Sequence, residues 1–112
     1  MGRRYRERRI YPQDRTEVRN AAWRGVHELG LTPDPASGEW EVRSSQSMST
    51  FSWGERIVVL TATNPGGGTQ VVAESKLVFG FFDWGRNQRN VEQLLASMDE
   101  ALGPGRPAPL EG

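Results

Sequence analysis

The chain has 112 residues, with 14 basic and 14 acidic side chains and no cysteine. That length suits one domain with a sizeable core. The balanced charge leaves no global field to draw in nucleic acid or an anionic membrane, and the lack of thiols excludes disulfides, thiol nucleophiles and thiolate metal sites.

Hydrophobic residues make up 36% and there are 13 glycines, an ordinary globular composition. Lys76 is the single lysine. The arginine bias fits either a GC-rich genome or a use for bidentate contacts. No apolar run approaches the ~18 residues that a spanning helix needs. The N-terminus is charged with no apolar stretch behind it, unlike a signal peptide. The expectation is a soluble, cytoplasmic protein without a membrane span.

Residues 1–4 read as a disordered basic start, 5–103 as a single domain, and 104–112 as a disordered tail rich in Pro and Gly. In 5–11, YRERRIY, Tyr5, Glu7, Arg9 and Tyr11 share one side, and Arg6, Arg8 and Ile10 the other. This predicts an edge strand whose charge blocks further pairing; the competing reading is a basic arm for phosphates. Asp14 or Thr16 caps a helix from Arg15 to Leu29, with Glu17 placed for a capping box. Its stripe is Val18, Ala21, Ala22, Val26 and Leu29. Gly25 lies inside the stripe, which fits a close approach to the sheet, and Gly30 ends the helix.

Residues 31–38, LTPDPASG, read as a loop. EWEVRS (39–44) alternates, with Trp40 and Val42 inward. The Ser-rich run 44–54 has no clean period and fits a further strand or a long loop. ERIVVLTATN (55–64) is the most apolar strand, and Ile57 to Leu60 suit a central position. Asn64-Pro65-Gly66-Gly67-Gly68 is a strong turn signal. It predicts a hairpin to 69–79, where Val71, Ala73, Ser75, Leu77 and Phe79 share a face. Phe79 to Trp84 then puts four aromatics in six residues, bracketed by Gly80 and Gly85. Asp83 is the expected N-cap of the last helix. Its stripe is Val91, Leu94, Leu95, Met98 and Leu102, extended N-terminally by Asn87 and Asn90. Gly103-Pro104-Gly105 stops it. The order β-α-β-β-β-α predicts an α+β two-layer sandwich: a mostly antiparallel sheet of four or five strands with two helices on one face.

This arrangement resembles the helix-grip fold, in which a curved antiparallel sheet wraps a long C-terminal helix. The residues that carry the resemblance are the strand–helix pair 5–29, SWGERI (52–57), the hairpin through 79, and DWGRNQRNVEQLL (83–95). The chain is similar to small bacterial domains of uncharacterised function and, more distantly, to the START-related (steroidogenic-acute-regulatory-related) lipid-transfer superfamily. Larger members of that superfamily have more strands and an internal cavity for apolar ligands. The resemblance implies a binding role and supplies no catalytic residue.

Catalytic patterns are weak. His27, the single histidine, falls about 180° from the apolar stripe of the first helix, on the solvent side, which suits neither a Ser-His-Asp triad nor a zinc site. Glu39, Glu41, Glu55 and Asp83 form no marked carboxylate pair and read as a solvated sheet face balanced by arginines. The Gly-rich turn joins two strands rather than a strand and a helix, so it does not read as a phosphate loop. Arg86 and Arg89 open the last helix, where the dipole disfavours cations. Beside Trp53, Phe82 and Trp84 they fit a basic, aromatic patch for an anionic lipid, nucleotide or partner. Otherwise the aromatics close the end of the sandwich and the arginines snorkel over them.

The sequence therefore points to a non-enzymatic binding module without metal or other cofactor. Its expected ligand is a small apolar or amphipathic molecule held between the sheet and the C-terminal helix. The candidate contacts are Trp53, Phe79, Phe81, Phe82, Trp84, Arg86 and Arg89. Nucleic acid is disfavoured as a partner. The alternative is a protein-interaction or structural domain, with the Phe79–Trp84 segment or the flank bearing Trp23 as a partner or homodimer surface.

Overall fold

Strand parity decides which side of the sheet is covered. The computed structural model describes residues 4–46, 54–77 and 85–110. These residues form β1 (Arg4–Tyr11), α1 (Arg15–Glu28), β2 (Thr32–Pro33), β3 (Glu41–Gln46), β4 (Glu55–Thr63), β5 (Thr69–Leu77), α2 (Arg86–Leu102) and β6 (Arg106–Ala108). The strands make one antiparallel sheet in the order β2-β3-β4-β5-β1-β6. Along β4 and β5, buried and accessible residues alternate. Ile57, Val59, Val71 and Ala73 meet the helices in the core. The α+β class, the antiparallel sheet and the two helices are as expected.

The details of the sheet differ. It has six strands rather than four or five. The added β2 and β6 come from segments read as loop and tail. Both are short, contain proline and lack a period of two. Pro33 and Pro107 fit there because β2 and β6 are the sheet's edges, where a missing N–H is tolerated. β1 is therefore not an edge strand. It pairs with β5 along its whole length, from Arg4 opposite Lys76 to Tyr11 opposite Thr69. On its other side Arg8, Arg9 and Ile10 pair with β6. Of the run 44–54, read as a further strand or a long loop, residues 44–46 are the end of β3 and 47–53 lie outside the described residues. β4 is central, yet Leu60 is 47% exposed because only one face is covered.

The β4–β5 hairpin forms as expected. The Asn64 and Gly67 amides donate to the Gly68 and Asn64 carbonyls, and the Asn64 side chain donates to the Gly67 carbonyl. Gly68 has φ +81°, and a Cβ there would run into the Tyr11 carbonyl. This turn can thus slip beneath the end of β1 only with glycine at that position.

In α1, Asp14 is the N-cap and accepts from the Glu17 amide at 2.8 Å. Val18, Ala21, Ala22 and Val26 are buried as their spacing predicts. Gly25 does permit a close approach, but to α2 rather than to the sheet. A Cβ there would sit 2.6 Å from Leu94 Cδ1 and 3.3 Å from Ser97 Oγ. Of the expected α2 stripe, Val91, Leu94, Leu95 and Met98 are fully buried, and Leu102 is half-buried against the core. Gly85, not Asp83, occupies the N-cap of α2, with φ +76° and no side-chain cap; Asp83 itself lies outside the described residues.

A polar cluster ties β1 to the last turn of α2. Asp99 accepts from Tyr11 Oη at 2.7 Å, Arg9 Nη1 at 3.0 Å and the Gly105 amide at 3.2 Å. These donors offset the unfavourable placement of a carboxylate near a helix C-terminus. Burial, and then the bond to Asp99, push the Tyr11 phenol well above its ordinary value.

Two outcomes follow from this packing. Gly25→Val inserts methyl groups against Leu94 and lowers stability by about 1–3 kcal/mol, read as a lower urea midpoint. Tyr11→Phe costs about 1 kcal/mol at neutral pH. Because the folded phenol titrates above the unfolded one, its contribution is complete below about pH 10 and is lost as pH rises beyond it. Stability of the wild type therefore falls above that pH, and Tyr11→Phe flattens the fall.

Candidate functional site

Glu55 shares its parity with Ile57 and Val59, so β4 turns a carboxylate toward the helices. It is 0% exposed. Its partners come from α2 and β5. Arg86, the first residue of α2, donates from Nε to Glu55 Oε1 at 3.2 Å. One helical turn on, Asn90 Nδ2 donates to the same oxygen at 3.1 Å and to Ser75 Oγ at 3.2 Å. Ser75 donates onward to Asn87 Oδ1 at 2.8 Å. Ser75, Asn87 and Asn90 are all buried. The Arg86 side chain keeps 22% of its surface exposed, so the ion pair runs from the interior to the rim.

This network closes one end of the sandwich. Gln46 lies opposite Glu55, and Glu55 opposite Leu77. Segment 47–53 leaves the described chain at Gln46 and re-enters at Gly54. Segment 78–84 leaves at Leu77 and re-enters at Gly85. Both therefore attach at the end of the sheet where Glu55 is buried.

Of the candidate residues, Trp53, Phe79, Phe81, Phe82 and Trp84 lie outside the described residues. Arg86 and Arg89 have different surroundings: Arg86 pairs with Glu55, while Arg89, less than one helical turn further on, is exposed. Trp23 is half-buried and packs against the core rather than standing free on the flank. His27 is exposed, as its helical position predicts. Among the described residues no group of three His, Cys, Asp or Glu could hold a metal ion, and no helix is long and apolar enough to cross a membrane.

Glu55 is not the surface carboxylate that its place among Glu39, Glu41 and Asp83 suggests. The available signal was parity: on a strand covered on one face, Glu55 must point with Ile57 and Val59. Asn87 and Asn90 were visible as a polar extension of the apolar stripe, but their partner was not. Neither protein-family models nor curated proteins give a match to the chain.

Removing one partner of a buried pair leaves a charge without compensation, whereas replacing both with apolar groups is often neutral. Glu55→Ala is expected to lower stability by about 3–5 kcal/mol, read from urea denaturation. Glu55→Leu combined with Arg86→Leu recovers most of that loss.

Proposed function

We propose that the chain is a non-enzymatic binding module for a small amphipathic ligand with an anionic head group. The head group sits at the rim beside Arg86 and Arg89, and the apolar wall is contributed by Trp53, Phe79, Phe81, Phe82 and Trp84. The observation that carries the reading is the fully buried Glu55 with its hydrogen-bonded partners, at the end of the sheet from which both aromatic-containing segments leave. A buried ion pair is weak evidence for stability, because apolar residues fill such sites at least as well. Its presence at a rim therefore favours a role in holding Arg86 in one orientation.

Binding is favoured over catalysis. Glu55 Oε1 is engaged by Arg86 and Asn90, and the Ser75 hydroxyl donates to Asn87 with no histidine beside it. Neither is placed as a base or a nucleophile. α2 lies across β5 and β1, an arrangement that a helix-grip-like reading requires. Further along α2, Val91, Leu94, Leu95 and Met98 fill the space over Val71 and Ala73. The ligand is thus confined to the N-terminal end of α2. A cytoplasmic setting suits a chain without cysteine.

Tryptophan fluorescence during titration with dodecanoate tests the reading. Saturable micromolar binding is expected, weaker for dodecyltrimethylammonium, and lost in the Glu55→Leu, Arg86→Leu variant although it remains folded. Unchanged affinity in that variant, or no saturable response, would overturn it. A stable dimer in sedimentation without ligand binding would instead assign the aromatic segment to self-association.

A further inference from the structure

The uncovered face of the sheet carries a charge arrangement that the fold does not require. Register places Ser45, Arg56, Lys76 and Arg4 in one row across β3, β4, β5 and β1. Lys76 stands directly between two arginines. Like charges directly opposite each other on a sheet destabilise it. Arg56, Lys76 and Arg4 are all exposed. Among the described residues the Arg56 and Lys76 side chains have no hydrogen-bond or ion-pair partner. The next row is Arg43, Val58, Glu74 and Arg6, in which Glu74 lies 3.7 Å from both Arg4 and Arg6. The third is Glu41, Leu60, Val72 and Arg8.

Across these rows six cations meet two carboxylates, and Asp34 beside Arg43 at the groove makes a third, which leaves a surplus of three positive charges on one face of a chain with zero net charge. The aliphatic members are concentrated beside the cations: Leu60 is 47% exposed, and Val58 and Val72 are half-buried. A groove of about 250 Å³ opens on this face between Arg43, Arg56 and Val58 and the prolines 33 and 35.

We propose that this face docks an acidic protein segment carrying aliphatic side chains. Charge complementarity sets the sign of the partner. The aliphatic row and the groove set its second property. A single-stranded nucleic acid is the other polyanion to weigh. It binds by stacking bases on aromatic side chains along a basic track. The three rows hold no aromatic residue on which bases could stack. A second copy meeting face to face would oppose two positive surfaces. The like-charged row is a stability cost that binding relieves, and such local conflicts gather at functional surfaces.

The test uses the full chain and a fluorescein-labelled peptide of alternating Glu and Leu, read by anisotropy. An all-Glu peptide and an oligodeoxythymidine of equal length serve as comparisons. Salt-sensitive micromolar binding of the Glu–Leu peptide is expected, tighter than either comparison. Lys76→Glu is expected to weaken it about tenfold while raising the urea midpoint of the free protein, because the cationic row is relieved. Leu60→Ser is expected to weaken the Glu–Leu peptide and leave the all-Glu peptide unchanged. The proposal is overturned if oligodeoxythymidine binds as tightly as the peptide, if Lys76→Glu binds normally, if no peptide binds, or if sedimentation shows a dimer that Lys76→Glu dissolves.

Discussion

The register of β4 against β5 and β1 is the constraint on which the rest depends. A shift of one residue in β4 would turn Glu55 out and Arg56 in. It would also move Ile57 and Val59 from the core to solvent. The register is held at the hairpin end by the Asn64–Gly68 turn, and Gly68 fits beneath the Tyr11 carbonyl only because it has no side chain. One turn therefore sets both what the sheet buries and what it displays.

The two faces of the sheet use polar groups in opposite ways. On the covered face, Glu55 is excluded from water and compensated by Arg86 and Asn90. A buried carboxylate demands such partners, since charge in a low-dielectric interior is costly unless paired. On the open face, Arg4, Lys76 and Arg56 stand side by side in water, where screening keeps their repulsion modest. The covered face holds Glu55 and its hydrogen-bonded partners at one end, beside the start of α2. Its other end is closed by Asp99 with Tyr11 and Arg9. Between the two lies the aliphatic packing of α2 against the sheet and of Leu94 against Gly25.

Much of this was readable along the chain. Asp14 as a cap, the stripe from Val91 to Met98 and the hairpin at Asn64–Gly68 are local patterns, and each appears as its period or turn chemistry predicts. The errors fall where a distant segment intervenes. β1 was read as an edge because nothing in YRERRIY shows that residues 106–108 return to pair with it. Gly25 suggests a helix–sheet contact, because a glycine announces closeness without naming its neighbour, which is α2. Glu55 looks like a surface carboxylate in its local sequence because its partner Arg86 lies 31 positions away.

By itself the sequence determined the two helices, their apolar faces, the β4–β5 hairpin and the parity of each long strand. These depend on the 3.6-residue and two-residue periods, which any short window contains. Only the tertiary structure decided which strands are neighbours, what Glu55 meets in the interior, and that Arg4, Lys76 and Arg56 share a row. Those outcomes depend on pairing between segments far apart in the chain, and parity alone gives the side of a residue but not the residue opposite it.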